Sequence, residues 1–392
     1  MKPTSVLISG GGIAGLTLAI LLKRMGWQPT VVERNDAPST EGYMMDFFGS
    51  GWDVAERMGL IGDLNAIHYP IKRMEFVDGD GRAYMTAPIE RISRALSHRY
   101  CYLRRSDLER ILFNRVRNKG VDVRFGTTIE SLSETADDVS ATFSDGKRES
   151  FALVIGADGI HSRVRDLVFD PARTVMTYLG YYVAAFHFSD IHHDLGNALK
   201  ICEETDRTAM LYPLGATRAD ATYLFRHPDI GQVPAADRMP LLRQVFAGAG
   251  WIIGRVLDEQ PGTAPVFFDS ATQVAMPEWH AGRIALIGDA CGCLTLLAGQ
   301  GSHMAMAGAY VLARELERAA THQEAFAAYQ RFLKPQVEKR QRDAAWFAKF
   351  FVPSERSRPW LRRLAIDAIL SSLGIAITLG QFGSKSALAN YR

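Results

Sequence analysis

Gly10, Gly12 and Gly15 stand at the spacing Gly-x-Gly-x-x-Gly directly after the apolar run at residues 6–8, and Glu33 closes a second run, Thr30-Val31-Val32. Residue types in that order suit one chemistry, the holding of a dinucleotide pyrophosphate. The first glycine makes a tight turn, the second lets the backbone approach the phosphates, and the third lets the next helix pack closely on the strand. That helix is predicted from apolar positions at Leu16, Ala19, Ile20 and Leu22. Its opening amides, those of Ile13 and Ala14 among them, face the phosphates with the help of a dipole of about half a unit charge. Glu33 is placed to hydrogen-bond an adenosine ribose, and Arg34 beside it joins the candidate cofactor-binding set. The competing reading is a glycine-rich turn inside a core.

A nicotinamide dehydrogenase has no need of further strand-to-turn signatures far from the first, yet residues 153–159 and 284–290 repeat the pattern. With these segments the chain resembles the single-component FAD-dependent aromatic hydroxylases, the group A flavoprotein monooxygenases. Within them it most resembles the tetracycline-inactivating monooxygenases and the polyketide hydroxylases. Gly156-Ala157-Asp158-Gly159 and the residues through Arg165 resemble that family's Asp-Gly motif, and Gly288-Asp289-Ala290 with Gly299-Gln300-Gly301 its Gly-Asp motif. The segment 103–108 resembles the one whose arginine lies against the FAD, which implies Arg105. Gly42-Tyr43-Met44-Met45-Asp46 resembles the loop whose aspartate also contacts the cofactor.

The resemblance implies an α/β fold: a Rossmann-like FAD-binding domain of the GR2 type, a β-sheet substrate domain and a C-terminal helical segment. It also implies a reaction. NADPH or NADH, bound only transiently, reduces the flavin; dioxygen adds at its C4a carbon; an electrophilic oxygen passes to an electron-rich ring or ketone. The protein's share is exclusion of water and placement of substrate, so no catalytic side chain is assigned. The residues of the third segment agree. A buried strand would deliver Asp289 to a ribityl hydroxyl, and Gly299-Gln300-Gly301 opens a helix with an apolar face at Met304, Ala307, Val311, Leu312 and Leu316. Amides at that helix start would stabilise negative charge on the reduced flavin. The alternative is a structural aspartate capping a core helix.

A chain of 392 residues with 47% hydrophobic content can bury a large core, and its formal charge of +2 gives no reason to expect nucleic acid or an acidic membrane as a partner. Cys101, Cys202, Cys291 and Cys293 include no CxxC pair, which points to a reducing, cytoplasmic setting and to no metal site. The apolar N-terminus reads as a first strand rather than a secretion signal, and the longest apolar stretch, 364–379, is too short and too polar to span a membrane. A monomer or weak dimer is expected.

The motifs place the FAD-binding domain in residues 1–68, 100–170 and 276–330. The substrate sheet then falls in 69–99 and 171–275, where alternating runs such as 181–188, 208–212 and 221–226 suit strands with one packed face and one face lining a cavity. Asp145-Gly146 reads as a hairpin turn. Residues 331–392 are read as helices bridging the two domains, with Leu364, Ile366, Ile369 and Leu370 as the bridging face or, equally, a plain packing face. For a small aromatic or polyketide substrate the candidates are His187 and Arg226, polar residues near the ends of apolar strands; in the tetracycline-inactivating relatives an arginine at about the position of Arg226 contacts the drug. Three departures stand out: Ser39 where relatives carry an arginine near the incoming nicotinamide, and Gly292 and Leu296 where they carry His or Tyr and then Pro. A flavin-binding ligand sensor without turnover is the alternative function. A halogenase is disfavoured because Trp251 and Trp279 lie in no Trp-x-Trp-x-Ile-Pro setting.

Overall fold

A computed structural model describes residues 2, 4–189, 195–295, 299–354, 358–371, 374–375 and 386–391. The three segments that carry the cofactor signatures supply one six-stranded sheet in the order His280–Ala281, Ile284–Leu286, Leu153–Gly156, Ser5–Ser9, Gln28–Val32, Asp122–Arg124. Ser5–Ser9 is central and runs parallel to both neighbours, Val6 opposite Leu153 on one side and Pro29 on the other. A parallel strand covered on both faces reads as an unbroken apolar run, and Val6, Leu7 and Ile8 are indeed fully buried. The helix Ile13–Arg24 packs on one face of this sheet against the helix Gly301–Arg318.

A second, seven-stranded sheet runs Phe267–Ala275, Val175–Ser189, Arg218–Arg226, Arg207–Pro213, Ala198–Glu204, Arg73–Val77, Ala83–Pro88. Its period-two pattern sorts side chains onto two faces. Tyr182, Ala184, Phe186, Tyr223 and Phe225 pack in one cluster with Met239, Leu242 and Val256 of the helices Ala235–Val245 and Ile253–Asp258. The other face carries two apolar clusters with a polar band between them. Tyr181, Val183, Leu224 and Ala271 meet Val352, just past the helix His322–Phe351. Leu199, Ile201 and Tyr212 pack with Met44, Tyr100 and Tyr102 of a two-stranded ribbon, Met44–Phe48 with Tyr100–Arg104. The band holds Thr208, Asp220 and Thr222, all buried.

A smaller antiparallel sheet contains the expected hairpin: Asp145-Gly146 joins Val139–Phe143 to Arg148–Phe151, with Gly146 at φ +80° and the Lys147 amide donating to Asp145 Oδ1 at 3.0 Å. The described part of the tail contains the helices His322–Phe351 and Pro359–Leu370, and Pro335 lies inside the first without ending it. Of the proposed bridging residues in Pro359–Leu370, Ile366 is buried in the cluster shared by Tyr100 of the ribbon and Tyr212 of the sheet, whereas Leu364 is 61% exposed. Arg362 of the same helix donates through Nε to Glu203 at 3.0 Å. No described helix is long and apolar enough to cross a membrane.

Ribbon and sheet are fastened by a buried ion pair, Arg104 Nε donating to Asp220 Oδ2 at 2.9 Å, the Asp220 side chain being 1% exposed. Asp220→Ala leaves the Arg104 guanidinium without its carboxylate, and removal of one partner from such a pair costs about 3–5 kcal/mol. Urea unfolding should show a loss of that order, while Asp80→Ala, which breaks the exposed Arg82–Asp80 pair, should leave the midpoint unchanged.

Candidate functional site

Gly10 has φ +111°, and a Cβ there would collide with the Ala157 carbonyl on the neighbouring strand. Only glycine allows this turn at this spacing. The Gly10 amide donates to Val32 O at 2.8 Å, which ties the turn to the second strand as well. Glu33 completes the turn: Oε2 accepts from the Gly11 amide at 2.8 Å and Oε1 from the Asn35 amide at 3.0 Å. Arg34, next along, is exposed.

From this turn a channel runs to the edge of the seven-stranded sheet. Gly12, Ile13 and Ala14 line one end; Arg105, Asp289, Gly299 and Gly301 line its length; Asp269, Ser270 and Thr272 of the strand Phe267–Ala275 close the other. The helices Ile13–Arg24 and Gly301–Arg318 both open onto it, and neither has a side-chain cap on its first turn. By contrast His322–Phe351 begins with a full capping box from Thr321 and Glu324. Helix starts without caps leave N–H groups for a ligand.

Arg105 is the sole Lys or Arg among the described lining residues. Burial works against its charge, but Glu109, Tyr43, Asp289 and Asp269 surround it and raise its affinity for the proton overall. Its Nη2 lies 2.7 Å from Glu109 Oε1. Burial pushes the Glu109, Asp289 and Asp269 carboxyls above their ordinary range, with Arg105 pulling each back. With acids outnumbering cations, anionic phosphates here must be met by backbone amides, which the two uncapped helix starts and the glycine turn offer. The residues present therefore fit an FAD: the Gly10–Gly15 turn and Ile13–Arg24 start for the pyrophosphate, the Gly301 helix start for the ring edge.

Not every sequence candidate lies on the channel. Ala157, Gly159 and Ile160 line it, but the Asp158 carboxylate is turned to Ser162 Oγ, the Val164 amide at 3.1 Å and Ser9 Oγ at 3.3 Å. Asp46 departs further from its expected role. In the strand Met44–Phe48 the neighbours Tyr43 and Met45 line the channel, while Asp46 is on the opposite face, across from Tyr102, where it accepts from Tyr100 Oη. Strand alternation, invisible in a loop motif, decides this.

His187 and Arg226 are not brought together. His187 pairs with Asp220 and is 47% exposed; Arg226 stands opposite Tyr181, six residues along, or about 20 Å. Arg226 Nε donates to Asp206 at 2.8 Å and its guanidinium lies 4.8 Å over the Tyr181 ring. Ser39 donates to Glu41 O at 3.2 Å. Gly292 has a packing reason, because a Cβ there would press on Val337 and Trp279. Leu296 lies outside the described residues. Sequence reasoning missed Tyr43, Glu109 and Asp269; the Arg105/Glu109 spacing of four on one helix face was the available signal for Glu109.

Comparison with known proteins agrees with this geometry. The FAD binding domain family matches residues 3–344. A flavin-dependent monooxygenase from an unknown prokaryotic organism is 32% identical over 353 residues, 89% of this chain and 91% of the relative. Another, from Legionella longbeachae serogroup 1 (strain NSW150), is 31% identical over 98% of this chain and 99% of its own. The crystal structure of tetracycline destructase Tet(55) superposes with TM-score 0.85 at 30% identity, covering 98% of each chain. Klebsiella pneumoniae HpxO complexed with FAD and uric acid, at TM-score 0.79 and 22% identity over 97% of this chain and 96% of its own, shares the fold.

Two measurements check the site. Gly10→Ala should abolish the bound-flavin absorbance on purification, because the turn cannot keep its path. The buried His303, in the first turn of Gly301–Arg318, donates through Nε2 to Asp46 O at 3.0 Å, and burial lowers its pKa to about 4. A depressed histidine contributes stability that is present above about 6.5 and is lost as pH falls toward 4, on the order of 3 kcal/mol in all. Denaturation across that window should therefore be steeper in pH for the wild type than for His303→Asn.

Proposed function

Because this chain belongs to the FAD binding domain family and is a flavin-dependent monooxygenase, we propose that it uses NADPH or NADH and dioxygen to place one oxygen atom on a polycyclic aromatic or polyketide-like molecule, a tetracycline-type antibiotic being the leading case. The observation that carries this reading is the likeness to tetracycline destructase Tet(55) over nearly the whole of both chains. The six-stranded sheet and its helices form the cofactor unit and the seven-stranded sheet the substrate unit.

FAD, when bound, supplies the redox and oxygen-transfer chemistry. The chain holds its pyrophosphate at Gly10–Gly15 and offers the amides of the Gly301 helix start to its ring edge, where negative charge is stabilised. Beyond the channel, the sheet face offers a flat organic ring what it needs: two apolar clusters with Asp220, Thr222 and Arg104 between them. Thr222 Oγ1 is buried without a hydrogen-bond partner, a polar group awaiting a ligand oxygen. The enclosing side chains exclude water from the reacting atoms. Four buried thiols suit a reducing, cytoplasmic setting.

The purified protein should show a bound-flavin spectrum, and aerobic NADPH oxidation should accelerate when a tetracycline or an anthracycline-like compound is added, with a product heavier by one oxygen. Bound flavin without stimulated oxidation across such ring compounds would favour a ligand sensor, and failure to take up FAD would sink the assignment.

A further inference from the structure

Asp46 sits on the wrong strand face for the cofactor channel and on the right one for the substrate sheet. Its residue partners on that face are Met44 and Phe48 of its own strand and Tyr100, Tyr102 and Arg104 of the next. Tyr100 Oη donates to its carboxylate, Tyr102 stands directly across the strand pair, and the Tyr212 ring of the seven-stranded sheet meets Tyr102 edge-on at 6.4 Å. Among the described residues no cation faces it closely: Arg104 is engaged by Asp220, and the imidazole of His303 packs against the Phe47 and Phe48 rings and bonds to the Asp46 backbone carbonyl rather than to its carboxylate. A carboxylate ringed by phenols, partly exposed and set between cofactor channel and sheet, is costly to keep charged, and among the described residues no ion pair explains it.

Resting on the monooxygenase reading above, we propose that the Asp46 carboxylate is the base that takes the proton from a phenolic or enolic hydroxyl of the substrate. The substrate O–H bond breaks, the proton goes to Asp46, and the electron pair stays on the substrate oxygen. The negative charge thus moves from carboxylate to ring, and total charge is unchanged. An aromatic carbon ortho or para to that oxygen becomes electron-rich enough to accept an electrophilic oxygen. Tyr100 and Tyr102 orient the carboxylate, and Tyr212 walls the site on the sheet side. Burial raises the Asp46 carboxyl above its usual range, with hydrogen bonds from Tyr100 and Tyr102 holding it down, which makes it a stronger proton acceptor than an exposed carboxylate.

The test uses the FAD-loaded protein without NADPH and the hydroxyanthraquinone alizarin, whose colour reports ionisation of its phenol. Bound to Asp46→Asn, whose neutral amide stands for the protonated acid and neither competes for the proton nor repels the phenolate, it should stay anionic to a pH about one unit or more below that of the wild type, a tenfold or greater difference in the ionisation ratio, with equal flavin content in both proteins. Tyr100→Phe removes a hydrogen-bond donor to the carboxylate, so the acid limb of the product-formation profile should move to higher pH. Equal dye ionisation in wild type and Asp46→Asn overturns the proposal, as does loss of FAD from Asp46→Asn, which would return Asp46 to the cofactor. A wild type that binds no ring compound overturns the functional reading; binding without ionisation overturns only this one.

Discussion

The arrangement depends on the buried pair of Arg104 and Asp220. Charges taken out of water in this way seldom add net stability over an apolar pair, so their worth is positional. Arg104 ends a ribbon strand, and the next residue, Arg105, begins the helix Arg105–Asn118 while facing the channel. Fixing Arg104 against the middle of the seven-stranded sheet thereby fixes where Arg105 stands relative to Asp289 and Asp269. Asp220 also pairs with His187 across the neighbouring strand. One carboxylate thus sets the distance between the sheet and the channel.

The channel's electrostatics follow a consistent plan. A site rich in lysines would bind phosphate through charge alone and would do so loosely in orientation; here a single arginine is enclosed by acids, and backbone amides at two uncapped helix starts are left for the anion. Amide donors are fixed in direction by the helices that carry them, which suits a cofactor that must present one ring edge in one orientation. The glycine turn serves the same end, since the close approach of Gly10 to Ala157 sets the turn from two strands at once.

The seven-stranded sheet divides its labour by face. Aromatic residues at even positions of Val175–Ser189 and odd positions of Arg218–Arg226 are sealed beneath two helices, which leaves the opposite face free to vary its polar content. That face meets Asp46, Tyr100 and Tyr102 of the ribbon, so polar groups from discontinuous segments converge without any of them being neighbours in the chain. Ile366 of the C-terminal helix closes the same cluster.

Local order made much of this legible in the residues themselves. The glycine spacing, the fully apolar strands at 6–8 and 284–286, the Asp145-Gly146 turn and the alternating runs of the second sheet all express backbone geometry that acts over a few residues, and the channel does gather Gly12, Ile13, Ala14, Arg105, Asp289, Gly299 and Gly301. What the chain order could not decide is which face a side chain takes once strands pair. A shift of one residue reverses inside and outside, so Asp46 left the channel while Tyr43 and Met45 entered it, and Asp158 turned to cap a helix. His187 and Arg226 stand about 20 Å apart for the same reason, since separation along paired strands depends on register. The sequence by itself determined a dinucleotide-holding turn and the strands around it; only tertiary pairing decided which acids face the channel and which face the seven-stranded sheet, because burial, partners and proton affinity are properties of the assembled surfaces.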